Sequence, residues 1–212
     1  IGILILIPII IVFIVAMVSA IVSTQAWISV EDLKLQIKGT EIEAETVTYS
    51  LDELGSGIVN LYDKIDVVVL PEKANKYVIE WQIVGGITYT DQDYKAKYDK
   101  YRQEYAAKKA ELESRDYPNF TDANEQRAYG NAVYKYGSSA DSAKIISAMA
   151  NELVDMVYPA AVLVDSTGEE TTSNSSGQIR LSWYCHFTVK VTAENVSKTL
   201  LVSVGGDNVK TV

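Results

Sequence analysis

The chain has 212 residues and a formal net charge of -9, from 19 Lys+Arg against 28 Asp+Glu, with one Cys and one His. This balance excludes nucleic-acid binding by phosphate neutralisation, and the lone Cys and lone His exclude an internal disulfide framework, a Cys-based zinc site and a His cluster. No Asp, Glu, Lys or Arg occurs before Glu31, so all the charge sits on residues 31–212.

Residues 1–22 read IGILILIPIIIVFIVAMVSAIV, an apolar run broken only by Gly2, Pro8 and Ser19. It predicts a helix through about residue 30, roughly 45 Å long at ~1.5 Å per residue. It is apolar on all sides, so such a rod belongs in lipid or among similar rods. Three origins compete. A secretory signal needs a basic region before the run, and none is present. A membrane anchor fits by length, but no Lys or Arg flank sets its orientation. A mature N-terminus, left when a short basic leader is cut off, fits best with the unflanked start at Ile1. The expected packing residues are Ile3, Leu4, Leu6, Ile10, Phe13, Ile14, Met17 and Ile21. Pro8 removes one intrahelical hydrogen bond and should kink the first turns.

The body opens with strand signals. Leu33, Leu35 and Ile37 alternate, followed by Glu41 to Glu45, then Val47 and Tyr49. Ile65 to Leu70 closes at Pro71, and Tyr77 to Val84 closes at Gly85-Gly86. From Asp91 the pattern changes. Tyr94, Tyr98, Tyr101, Tyr105 and Leu112 recur at helical spacing, with Glu104/Lys108 and Glu111/Arg115 as i,i+4 pairs. Asp122 with Glu125 reads as a capping box for a second helix to about Tyr136. A third helix carries Ile145, Ile146, Met149, Leu153, Met156 and Val157 and stops at Pro159. Ala160 to Val164 returns as a strand, and residues 165–177 form a polar loop or hairpin. Ile179 to Val191 is thirteen residues of unbroken alternation, expected as one strand with one wet face. Thr199 to Val204 supplies the last strand.

The N-terminal stretch resembles the type IV pilin superfamily, and within it the archaeal pilins and archaellins. The likeness lies in the uncharged start, in Ile11-Val12-Phe13-Ile14-Val15-Ala16-Met17-Val18 and in Ser19-Ala20; it covers about 30 of the 212 residues. It implies leader removal by a prepilin peptidase, packing of the apolar helices into a filament core, and an outer wall of C-terminal domains. Bacterial members carry an early glutamate; here Ile5 and its neighbours are apolar, which points to the archaeal branch.

The chemistry-bearing residues are sparse. Cys185 and His186 are adjacent on a strand and face opposite ways, so they cannot form a nucleophile–base pair. Asp91-Gln92-Asp93 lacks the Gly and terminal Glu of a calcium loop and reads as acids at a helix start. Glu169-Glu170 reads as solvated loop. No phosphate-cradling loop or serine elbow occurs. The Tyr stripe offers a carbohydrate or partner platform, or a helix face covering a sheet with its hydroxyls in solvent. Asn119, Asn174 and Asn195 begin N-glycosylation sequons.

The sequence therefore predicts an α+β chain. A hydrophobic helix at 1–30 precedes an outer domain at 31–212, an antiparallel β-sandwich or barrel with a helical insertion at about 91–158. It predicts a non-enzymatic, extracellular, glycosylated filament subunit that uses no cofactor and no metal. Its partners are other copies of itself, the membrane before assembly and the assembly machinery, with no nucleic acid. The filament serves adhesion; motility, or a single-span anchored binding domain, is the alternative.

Overall fold

The computed structural model describes residues 28–51, 57–115 and 119–205. At Ile28 the backbone is already non-helical. Its N–H donates to Asn75 Oδ1 (3.4 Å), and Asn75 N–H donates to Ile28 O (3.2 Å). Val30 N–H donates to Glu194 Oε2 (2.8 Å) and Glu31 N–H to Leu70 O (2.8 Å). These bonds deliver the chain into β1 (Asp32–Ile37), where Leu33 and Leu35 are buried. β1 pairs antiparallel with β4 (Ile65–Leu70), from Asp32 opposite Leu70 to Ile37 opposite Ile65, as a two-stranded sheet.

A second sheet has five strands. These are β2 (Thr46–Ser50), β5 (Ile79–Tyr89), β8 (Ser173–Asn174), β10 (Cys185–Ala193) and β11 (Val196–Gly205), in the order β2-β11-β10-β5-β8. In β10 every odd residue from Cys185 to Ala193 is buried and every even one half-exposed, the pleat alternation of a strand with one wet face. The third sheet joins β3 (Ile58–Asn60), β6 (Ala161–Val164), β7 (Glu170–Thr171) and β9 (Gln178–Leu181), in the order β3-β9-β6-β7. One core serves all three sheets, centred on Leu33, Leu61, Ile65, Trp81, Leu163, Ile179 and Leu200.

Three helices lie between β5 and β6: α1 (Gln92–Glu113), α2 (Ala123–Tyr136) and α3 (Ser142–Leu153). Each starts on an aspartate. Asp91 accepts from the N–H of Asp93 and Tyr94, Asp122 from Asn124 and Glu125, and Asp141 from Ala143. Each cap satisfies donors that the first turn cannot. The helices bury a separate core of Leu112, Phe120, Ala128, Ala132, Ile145, Ile146, Met149 and Ala150. The capping box is half made: Asp122 caps, while the Glu125 carboxylate accepts from Lys108 Nζ (3.0 Å) and Arg115 NH1 (2.6 Å).

The expected fold class is corrected on several counts. Among the described residues the fold is mixed α/β, with three helices and eleven strands in three sheets, not an antiparallel sandwich or barrel behind a long apolar helix. First, β2 runs parallel to β11, Thr46 opposite Leu201 through Ser50 opposite Gly205. Second, the thirteen-residue strand is two. The chain bends at Ser182–Tyr184 and passes from the third sheet into the second, because Ser182 and Trp183 both donate to Ala160 O. Third, only the N-terminal end of α1 covers a sheet, through Tyr94 and Tyr98; the rest of the helical segment closes its apolar faces on itself. Ile28 to Val30 are non-helical, and the Ile28 and Val30 N–H groups donate to Asn75 and Glu194. No described helix is long and apolar enough to cross a membrane. The packing residues Ile3, Leu4, Leu6, Ile10, Phe13, Ile14, Met17 and Ile21, and Pro8, lie outside the described residues.

Smaller differences follow from local physics. Gly85 and Gly86 do not end their strand. At φ 74° and 82° they form a bulge opposite Phe187 and Thr188, and β5 continues to Tyr89. Residues 41–45 make only a single bridge, Gln36 to Glu43, because Ala44 alone of the five is buried. α3 stops at Leu153, and the chain from Val154 runs non-helically to β6. The 165–177 loop is not free surface. Its β7 belongs to the third sheet and its β8 to the second, so it stitches the two together.

Candidate functional site

The Tyr stripe of α1 spans two environments. At its N-terminal end Tyr94 stacks on Trp183 (centroids 4.7 Å, 6°) and Tyr98 on Tyr89 of β5 (6.0 Å, 26°). Further along, Tyr101 donates its hydroxyl to Asn151 Oδ1 of α3 at 2.6 Å. Tyr94 donates to Tyr158 O at 3.0 Å. These two hydroxyls therefore bind protein, not the solvent expected of a sheet-covering face. Burial pushes the Tyr89 and Tyr101 phenols up to about 12.

Beside this stripe lies a cleft of about 470 Å³, lined by residues that include Tyr105, Tyr136, Asn151, Tyr158, Glu169 and Arg180. A smaller hollow of about 230 Å³ shares Tyr105, Asn151, Met156 and Glu170 with it and reaches Tyr98 and Arg102. The walls come from all three helices, the 156–159 segment, the 168–170 turn and β9. Asp165 builds the turn, accepting from Thr167 N–H (2.8 Å), Thr167 Oγ1 (2.6 Å) and Glu169 N–H (3.0 Å).

The charges in the cleft are ordered. Lys135 and Lys144 place their Nζ 4.7 and 4.4 Å from the Tyr136 ring centroid. Both face Glu169, at 3.8 and 3.3 Å. A hydrogen bond from Tyr136, and then Lys144, hold the Glu169 carboxyl below the usual carboxylate range. Arg180 lies 4.9 Å over the Tyr158 ring, donates to Gly168 O (2.6 Å) and sits 3.8 Å from Glu170. Four cations (Arg102, Lys135, Lys144, Arg180) against two carboxylates (Glu169, Glu170) leave a positive excess, in a chain whose net charge is -9. Glu169-Glu170, expected as solvated loop, is thus the acidic centre of this arrangement.

The other singled-out residues fall elsewhere. Cys185 is buried, and burial alone pushes its thiol up to about 12. His186 stands on the opposite face of β10, half-exposed between Thr88 and Ser203. Asp91 is a helix cap that also accepts from Trp183 Nε1 at 2.8 Å. The Tyr94 N–H, then the Trp183 indole, hold its carboxyl low. Among the described residues no three His, Cys, Asp or Glu gather to hold a metal.

The sequons differ from one another. Asn119 and Asn195 are exposed, Asn195 in the two-residue β10–β11 turn. Asn174 is spent internally. Its Nδ2 donates to Val164 O (2.8 Å) and Gln178 O (2.7 Å), and its Oδ1 accepts from Gly177 N–H (2.9 Å). Because Nδ2 is the atom a glycan would join, the fold excludes Asn174 as an acceptor once formed.

Sequence reasoning found the Tyr stripe but missed Lys135, Lys144, Asn151 and Arg180. They come from separate elements with no shared spacing, so no local signal marks them. No protein-family model matches the chain, and comparison with curated proteins gives no significant match.

Proposed function

We propose that this chain is the repeating subunit of an extracellular surface filament of the archaeal type IV pilus kind, serving attachment. The observation that carries the reading is the charge-free stretch of residues 1–30, beside a body whose described residues pack two hydrophobic cores of their own. Residues 1–22 carry 19 apolar side chains and no charged or amphipathic face. Each large one gains ~1.5–3 kcal/mol on leaving water, so the assembled state is strongly preferred to a monomer in water. The partners are other copies of the chain, with the membrane holding the apolar stretch before assembly and an assembly machinery extracting it. The test is negative-stain microscopy of the full-length protein and of Ile14→Asp. Long uniform fibres are expected from the first and none from the second, and fibres that survive the change sink the reading. An archaellum subunit is the rival within the class.

A second reading, a membrane-anchored extracellular binding domain, is favoured by the cleft between helices and sheets. Discrete particles that need detergent, in the same micrographs, would support it.

A further inference from the structure

We infer that the tyrosine-lined cleft is a binding site for an acidic oligosaccharide, a chain of uronic-acid type. The inference deepens the attachment role and rests on the filament reading only for where the site is displayed.

Size comes first. The cleft and its adjoining hollow, about 470 and 230 Å³, fall within the ~300–1,000 Å³ of small-ligand sites. The lining chemistry comes second. A sugar ring offers a C–H face and a hydroxyl edge, so it needs aromatic surface and fixed polar groups side by side. The cleft has both. Tyr158 and Met156 stand exposed at 42% and 43%, an apolar surface left open to water. Asn151 lines both cavities, and Tyr101 occupies its carbonyl oxygen, which leaves its amide N–H groups as donors. Preorganisation comes third. Lys144 is steered by the Tyr136 ring and Glu169, and Arg180 by Tyr158 and Gly168 O, so neither cation need be ordered at binding.

Charge decides between neutral and acidic sugars. The ion pairs here are loose, 3.3 to 3.8 Å, so they leave donor positions open. Positive charge in excess within a concave site of an otherwise acidic protein attracts an anion on balance, the repulsion from Glu169 and Glu170 being offset by their pairing with Lys135, Lys144 and Arg180. A carboxylate on the sugar would meet Lys144 and Lys135 with charge-assisted hydrogen bonds.

The test is calorimetric titration of the full chain, in detergent or as fibres, with trigalacturonate and with neutral galactotriose. Trigalacturonate is expected to bind, the neutral trimer at least about tenfold more weakly, as loss of one charge-assisted hydrogen bond predicts. Added NaCl should weaken the acidic trimer only. Lys144→Met and Tyr158→Ala, both at exposed side chains, should each cost about tenfold; Ile42→Ala, outside the cleft, should cost nothing. Equal affinity for the two trimers, no binding of either, or indifference to both cleft variants would overturn the site. The two proposals fail separately. Fibres that bind no trimer refute the site and keep the filament, whereas discrete particles that bind it do the reverse.

Discussion

Glu125 joins α1 to α2 as the buried centre of a four-charge cluster with Lys108, Glu111 and Arg115, and its energetics are directional. Its side chain is 5% exposed, against 22% for Lys108 and 37% for Arg115. Glu111 also pairs with both cations. Removing the acid therefore strands little. In Glu125→Gln the cations keep Glu111 and reach water, and the loss is about 1.5–2 kcal/mol, less than the full value of two charge-assisted bonds. Removing both cations is worse. Lys108→Met with Arg115→Met leaves a carboxylate buried without a partner, at about 3–5 kcal/mol. The triple change Lys108→Met, Arg115→Met, Glu125→Leu removes the stranded charge and should return to within about 1 kcal/mol of the original. Native-state hydrogen exchange of the α1 and α2 amides reads these values locally, tenfold faster exchange for each ~1.4 kcal/mol. The reasoning fails if the double cation variant exchanges no faster than Glu125→Gln, or if the triple variant is the least protected.

Gly177 has φ 67°, and a Cβ there would stand 3.0 Å from Tyr62 Cδ2 and 3.1 Å from Asn60 Oδ1; Gly177→Ala should cost about 2 kcal/mol or more, read as lost protection at the Leu61 amide, which donates to Gly177 O. Asn174→Ala removes three hydrogen bonds and should cost about 2–3 kcal/mol in a denaturant melt, while glycopeptide mass spectrometry should find sugar at Asn119 and Asn195 and never at Asn174. Glu169 has a lowered folded pKa, so its contribution is full above the unfolded carboxylate value of about 4.3 and is lost as pH falls through the folded value. Acidification through that range should therefore loosen the 165–170 turn from Lys135 and Lys144, seen as a lower protection factor at the Glu169 amide, and Glu169→Gln should remove the part of that change that Asp165, whose carboxyl is also held low, does not supply. A turn that loosens only on alkalinisation would contradict this sign.

Much of the body was legible because its signals are local. The alternation of Leu33 with Leu35 and of Cys185 through Val191 marks strands, and Asp91 and Asp122 mark helix starts, because each reports on its immediate neighbours. The parallel pairing of β2 with β11 was not legible: nothing near Val47 says which strand will lie beside it. The break at Trp183 was hidden for a subtler reason. The apolar-polar alternation of the sequence continues through the bend at Leu181, Trp183 and Cys185 although Trp183 is only half-buried, so periodicity sees one strand where the hydrogen bonds to Ala160 O make two. Gly85-Gly86 misled because a glycine pair serves equally as strand end and as bulge. In the cleft, the Tyr stripe has a period and was visible, whereas Lys144 and Arg180 meet only after β9 and α3 have packed.

The parallel pair also sets the order in which the protein can form. β11 stands between β2 and β10, so the five-stranded sheet lacks an inner strand until residues 196–205 have left the ribosome or crossed the membrane. The three helices need no such wait, since their core is complete within residues 112–150. Synthesis thus yields the lobe early and the sheet last, with the inner edge of β2 unpaired for as long as the last strand is missing. An open edge of this kind invites pairing with a second nascent chain. Wherever this protein is made in quantity, that interval is when it most needs a chaperone.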